Sequence, residues 1–126
     1  MIYLVDENGK SVNGVCFEDY LDADDFLLNV RKCGISNWYL DYGKFDKESP
    51  FPYIFIAVEF AEKDNSLYSM AIKAKHYPTP SELMEWLKKD METMGYDNIF
   101  GYYEIDIDEV YAGYDTDNID NWPICE

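Results

Sequence analysis

Acidic and aliphatic side chains alternate near the end of the sequence, over Glu104-Ile105-Asp106-Ile107-Asp108. A period of two is typical of a strand with one buried face, so we predict a strand over residues 98–110. Ile105 and Ile107 would point into the core, and the three carboxylates would form an outward row. Such a row, if no cation neutralises it, favours binding to a positively charged partner.

The acidic character continues into the loop that follows. Residues 90–126 contain eleven acidic residues and no Lys, Arg or His, whereas the first 89 residues contain fifteen acids and ten Lys or Arg. The net charge of −16 therefore divides into −11 and −5. Exposed tyrosines of the same region can add contacts to a partner. The predicted partner-binding residues are Glu104, Asp106, Asp108, Tyr111, Tyr114, Asp115, Asp117 and Asp120.

The spacing of a strand makes nucleic-acid mimicry a specific hypothesis. Side chains on one face of a strand lie about 6.8 Å apart, which is twice the rise per residue. Successive phosphates of one DNA strand rise ~3.4 Å along the axis, and the sideways step around the helix brings their separation to roughly 6–7 Å. A row of carboxylates at this pitch matches a groove built for a phosphate backbone.

A cation site is the first alternative for the acidic loop. Asp115-Thr116-Asp117-Asn118-Ile119-Asp120 resembles the start of a calcium-binding loop, with Glu126 at its twelfth position. Ile119 then stands where an oxygen ligand is needed, and Asp120 replaces the glycine of the turn. We expect a solvated acidic loop or a partner surface here, and predict no resident metal or cofactor.

Catalysis is the second alternative, and the sequence offers little for it. His76 is the only histidine, which leaves one imidazole for any Ser or Cys nucleophile. Glu104 and Asp106 could act as an acid–base pair only if burial raised one pKa, whereas their alternation predicts that both are exposed. We therefore predict that the protein is not an enzyme.

Composition indicates a folded protein of one domain, residues 1–126. The chain is 48% hydrophobic and 17% aromatic, which is too apolar for a disordered acidic tail. The strong negative charge disfavours direct binding to nucleic acid or to an anionic membrane. Three widely spaced cysteines without a CxxC pair indicate a reducing compartment. We find no signal-peptide pattern and no membrane-spanning run, and expect a cytoplasmic protein.

Hydrophobic periodicity and turn signals predict the element order β-β-α-β-β-β-α-β. The fold class that follows is α+β, with an antiparallel sheet of about five to six strands and two helices packed on one face. Thr79-Pro80-Ser81-Glu82 is a capping box that starts the second helix, which Gly95 ends. The predicted strands are 2–5, 12–17, one within 35–45, 53–60, 67–74 and 98–110, and the first helix is 22–33.

The first third of the sequence resembles a known family. Ile2-Tyr3-Leu4-Val5, Asn13-Gly14-Val15, an acidic helix and then Trp38-Tyr39-Leu40-Asp41-Tyr42 are similar to the first module of antirestriction proteins of the ArdA type. The likeness covers about 45 of the 126 residues. It implies a folded acidic DNA mimic that occupies the DNA groove of restriction enzymes. The short, acidic and aromatic profile is also similar to anti-CRISPR proteins of phages and mobile elements.

The function expected from these observations is inhibition of a nucleic-acid-binding bacterial defence enzyme, inside the bacterial host cell, by mimicry of the phosphate backbone. The partner would be a basic nuclease or defence effector. The same charge pattern suits an immunity protein that neutralises a cognate basic nuclease toxin, and a small cation-binding domain is the remaining alternative. The sequence leaves open which enzyme is the target and whether the protein forms a homodimer.

Overall fold

All strands of the chain lie in one mixed sheet. The structure, a computed structural model, describes all residues from 1 to 126. Its strands are β1 (Ile2–Val5), β2 (Ser11–Phe17), β3 (Tyr39–Gly43), β4 (Ile54–Ala61), β5 (Leu67–Ala74), β6 (Gly101–Ile105) and β7 (Ile124–Cys125). They are arranged in the order β2-β1-β3-β6-β4-β5-β7. Neighbours are antiparallel except for the parallel pairs β3–β6 and β5–β7.

The α+β class is confirmed, but the predicted antiparallel sheet of five to six strands is wrong in two respects. The sheet has seven strands, and two of its six neighbouring pairs are parallel. The additional strand, β7, is only two residues long, too short to produce a periodic signal. β3 and β6 are separated by more than fifty residues of sequence, so no short connection indicates their pairing.

Helices cover both faces of the sheet, whereas two helices on one face were expected. They are α1 (Tyr20–Lys32), α2 (Pro80–Trp86), α3 (Lys88–Met94) and α4 (Ile107–Gly113), followed by a 3₁₀ turn at Ile119–Asn121. On one face of β4, Ile56 and Val58 pack in a cluster with α2 and α3. On the other face, Phe55 and Ala57 pack beneath Val110 of α4.

The position of β4 explains why two covered faces are needed. Its sequence is a nearly continuous apolar run, and such a strand leaves apolar side chains in water unless both faces are covered. β4 also has a neighbour on each edge, since it lies between β6 and β5. At the far end of the α4 face, α1 packs Leu27 against Leu40 of β3.

The predicted start of the second helix at the capping box and its predicted end at Gly95 are both confirmed. The Thr79 Oγ1 accepts a hydrogen bond from the Glu82 N–H at 3.3 Å, and the Glu82 carboxylate accepts one from the Thr79 N–H at 3.1 Å. Gly95 closes α3 in the left-handed conformation, with φ of 81°. The single second helix is nevertheless divided, because Leu87 leaves helical geometry between α2 and α3. Leu83, Leu87 and Met91 still face the same core.

Two half-buried acids, Asp24 and Glu59, lie close together between α1 and the sheet. The Tyr42 hydroxyl donates a hydrogen bond to Asp24 Oδ1 at 2.5 Å, while the buried Oε2 of Glu59 has no partner. Burial raises the pKa of Glu59, the Tyr42 hydroxyl acts in the opposite direction, and the nearby Asp24 carboxylate adds to the rise. A tyrosine hydroxyl has one proton to donate, so it cannot satisfy both carboxylates at once.

We expect Glu59→Gln to stabilise the protein at neutral pH and to have little effect below the ordinary pKa of a glutamate. The folded pKa of Glu59 lies above its ordinary value of 4.5, so the wild type loses stability as the pH rises from that value through the folded pKa. Glutamine stays neutral and does not undergo this loss. Denaturant unfolding between pH 4 and pH 7.5 measures the effect, with the exposed Glu18→Gln as control. A stabilisation that is independent of pH, or none at pH 7.5, contradicts the assignment.

Candidate partner-binding surface

The predicted acidic strand ends earlier than its alternation suggests. β6 stops at Ile105, Asp106 has extended geometry at the start of a helix, and Ile107–Gly113 forms α4. The strand predicted over 98–110 is therefore wrong at both ends, and most of all after Ile105. The outward row that depended on this strand does not exist.

Two competing periodicities overlap at this point. Tyr103 and Ile105 share one face of β6, as the period of two requires. From Ile107 onward the apolar residues Ile107, Val110 and Tyr114 are three and four positions apart, which is helical spacing. Asp106 and Glu109 also have the spacing of an N-cap and its N3 acid, a helix-start signal in the sequence. These two features could have identified α4.

The three carboxylates of the predicted row have different surroundings. Glu104 pairs with Ile56 and so lies on the face covered by α2 and α3, opposite to α4. It is half-buried, and burial raises its pKa against the opposing effects of the Phe45 backbone N–H and the Lys44 ammonium. Asp106 is half-buried at the start of α4, and Asp108 is exposed in the first turn. The structure thus separates Glu104 from the other predicted contacts.

A set of exposed acids remains on α4 and on the segment that follows it. We call this set the acidic C-terminal surface, and its members are Asp108, Glu109, Asp115, Asp117 and Asp120. Asp108 and Glu109 lie in the first turn of α4, where negative charge suits the helix dipole. Glu109 was not among the predicted contacts, because the alternation of acidic and aliphatic residues ends one position earlier, at Asp108.

Cations do not neutralise this surface. The structure has two ion pairs, Lys75 with Glu126 and His76 with Glu82 at 2.6 Å, and neither includes an acid of the surface. Lys73 shares the α4 side of the sheet, but it is buried and places its ammonium 4.5 Å from the centre of the Tyr53 ring. The five carboxylates therefore face solvent without a basic partner.

The packing beneath the surface fixes its backbone. Val110 of α4 and Ile119 of the 3₁₀ turn are buried in one cluster with Phe55. The Trp122 ring meets the Phe55 ring edge to face, with 6.4 Å between centroids. The segment after α4 is thus packed against the sheet. Because the acids lie on elements that are already fixed by packing, less conformational entropy is lost when a partner binds them.

The two predicted tyrosine contacts have different roles in the structure. Tyr111 is 57% exposed on the outer side of α4 and is available to a partner. Tyr114 is half-buried, and its hydroxyl donates a hydrogen bond to the Ser69 Oγ of β5 at 3.3 Å. Tyr114 thus helps to attach the segment after α4 to the sheet.

Other chemistry considered for these residues has little structural support. No group of three or more His, Cys, Asp or Glu side chains is placed to hold a metal ion. In the calcium-like loop, Asp115 Oδ1 accepts the Asp117 N–H at 3.2 Å, and the Glu126 carboxylate binds Lys75 instead. His76 pairs with Glu82, the N3 residue of the capping box of α2. No helix has the combination of length and apolar character needed to cross a bilayer.

We expect that removing charge from the acidic C-terminal surface raises the melting temperature at low salt. A four-Asn variant carries Asp108→Asn, Asp115→Asn, Asp117→Asn and Asp120→Asn. Carboxylates without cations nearby repel one another, and salt screens that repulsion. Thermal unfolding at 10 mM and 500 mM NaCl should show a gain for this variant that shrinks as salt is added.

A control variant with the same change in charge distinguishes local repulsion within the acidic C-terminal surface from the effect of net charge on stability. It carries Glu18→Gln, Asp25→Asn, Glu85→Gln and Glu92→Gln, all at exposed positions. Glu85 and Glu92 have Lys88 and Lys89 three or four positions away, so their removal also loses favourable pairs. An equal gain in the two variants would contradict a specific concentration of repulsion at the acidic C-terminal surface.

No protein-family model, curated protein or solved structure matches the chain. The resemblance to antirestriction and anti-CRISPR proteins stays a prediction from the sequence, and the functional argument depends on the chain's own residues.

Proposed function

We propose that the protein is an acidic interaction protein that inhibits a nucleic-acid-binding bacterial defence enzyme in the cytoplasm of the host cell. Its acidic C-terminal surface would occupy the basic groove in which the enzyme holds phosphates. The role is not catalytic and needs no cofactor. The observation that carries this proposal is the set of exposed carboxylates without a cationic partner on an anchored part of the fold.

The charge of the chain supports a cationic partner. A net charge of −16 on 126 residues destabilises the folded state through repulsion between like charges. Because residues 90–126 contain no Lys, Arg or His, this part of the chain supplies no counter-charge of its own. A groove lined by lysine and arginine supplies it and gains both attraction and faster association.

The charge and exposure of the acidic C-terminal surface support mimicry of a phosphate backbone, whereas the carboxylate spacing of a strand no longer does. The carboxylates project from one turn of α4 and from the loop after it rather than from alternate positions of a strand. Tyr111 is exposed beside the acids of α4 and offers an aromatic contact to the partner. Glu104 is left out of the proposed interface because it is half-buried on the opposite face.

Competition with DNA tests the proposal. We expect immobilised wild-type protein to capture a DNA-binding protein from lysates of bacteria that carry restriction or CRISPR systems. Short duplex DNA should release the captured protein. NaCl added to the same ionic strength should not release it. The captured enzyme should also cleave DNA more slowly when the soluble wild-type protein is added.

The two charge variants give the matched comparison. The four-Asn variant should need at least about tenfold more protein to inhibit cleavage, since several charge contacts of a few tenths of a kcal/mol or more are lost together. The control variant should inhibit like the wild type. Inhibition that is equally strong in both variants, or capture that duplex DNA does not reverse, would show that the acidic C-terminal surface is not a phosphate mimic.

A further inference from the structure

The β5 edge of the sheet is open along most of its length. β7 pairs only with Lys73 and Ala74 at the end of β5. Directly after β5, the Lys75 N–H donates to the Cys125 carbonyl at 3.1 Å. Backbone groups of alternate residues point to the same side of a strand, so those of Leu67, Ser69 and Ala71 point to the same side as Lys75. No strand of the protein pairs with β5 there.

This edge lacks the features by which proteins usually protect a sheet edge. Such features are bulges, prolines and charged side chains. The opposite edge, β2, is irregular, since its register with β1 shifts and both Asn13 and Gly14 have positive φ. β5 keeps an unbroken register with β4 over eight residue pairs. Its sequence from Leu67 to Ile72 has no proline and no charged residue.

A cavity of about 270 Å³ lies at the same edge. Residues from both faces of β5 line it, with Met70 and Ile72 from one face and Ala71 from the other, and this places the cavity at the edge of the sheet. Trp86 and Trp122 also contribute to its walls. The cavity can accept an apolar side chain of a segment that lies along β5.

Acidic residues flank this open edge. The segment after α4 contacts β5 twice, through Tyr114 at Ser69 and through the pairing of Ile124 with Lys73. Asp115, Asp117 and Asp120 lie between these two contacts and are exposed. An extended segment added to β5 would therefore have acidic side chains beside it.

We propose that the partner adds an extended, lysine- or arginine-rich segment to the open edge of β5 as a further strand. Its backbone pairs with Leu67, Ser69 and Ala71, its basic side chains face the acids of the adjacent segment, and an apolar side chain enters the cavity. Addition of a strand to a free sheet edge is a general mode of peptide recognition, in which the main chain supplies affinity. This inference rests on the proposed function, because it takes the partner to be basic.

Charge decides between a basic segment and a second copy of the chain. Pairing of two copies at β5 would bring two acidic C-terminal surfaces together, each on a chain with a net charge of −16, and like charges repel. A basic strand gains from the same acids. The occupant is thus a foreign cationic segment.

Two peptides of equal charge distinguish backbone pairing at the β5 edge from attraction between charges. The first is a fluorescent seven-residue peptide that alternates lysine and valine, and the second has the same sequence with every interior backbone amide N-methylated. Methylated amides cannot donate hydrogen bonds. We expect fluorescence anisotropy to show at least about tenfold tighter binding of the first peptide. The four-Asn variant should bind both peptides more weakly.

A protein variant gives the reciprocal test. Ala71→Pro removes an N–H that points away from β4, a position where an edge strand tolerates proline. It should reduce binding of the unmethylated peptide to the level of the methylated one. Circular dichroism checks the fold of the variant, and the comparison of the two peptides on the wild type does not depend on it.

The outcomes distinguish failure of this inference from failure of the proposed function. Equal binding of the two peptides, weakened in the four-Asn variant, overturns strand addition and leaves the proposed function standing. Binding that the four-Asn variant does not weaken, or no binding at 10 mM NaCl, overturns both. A homodimer in sedimentation that Ala71→Pro dissociates would show that a second copy takes the edge, and this also overturns the proposal.

Discussion

Burial of β4 on both faces is the constraint on which the rest of the structure depends. Ile56 and Val58 need one apolar cover, and Phe55 and Ala57 need another. α2 and α3 supply the first, and α4 supplies the second by placing Val110 over the strand. The acids of α4 are exposed because the other side of this short helix is held against β4. The same packing that completes the core therefore sets the direction of the acidic C-terminal surface.

Three of the ten Lys and Arg residues hold structural positions within the fold. Arg31 is half-buried and donates to the carbonyls of Trp38 and Ile99, at 2.7 and 3.1 Å. Lys73 lies over Tyr53, and Lys44 lies over Tyr77 with 4.9 Å to the ring centre. Cations used in this way join loops to the sheet and stabilise aromatic packing. Arg31 and Lys73 are therefore withdrawn at least in part from the surface and do not neutralise exposed acids.

Signals confined to a few adjacent residues predicted much of the fold. The capping box at Thr79, the helix end at Gly95 and the limits of β5 all depend on local chemistry, and the structure confirms each. The boundary between β6 and α4 was predicted wrongly, because the alternation typical of a strand continues past Ile105 to Asp108 and overlaps the first residues of the helical pattern. The parallel pairing of β3 with β6 depends on contacts between distant parts of the chain. The sequence identified the acids of this region, but their arrangement on the surface could not be predicted without knowing that α4 is a helix.

The place of β6 in the sheet also affects how the protein forms during synthesis. β6 lies between β3 and β4, yet it follows both in the sequence by about forty residues or more. Until Ile105 leaves the ribosome, the nascent chain can form at most two half-sheets, whose inner edges have no partner. Such edges invite association with neighbouring chains. The last long strand to be translated is thus the one that joins the halves, and slow translation ahead of it prolongs the interval in which a chaperone is useful.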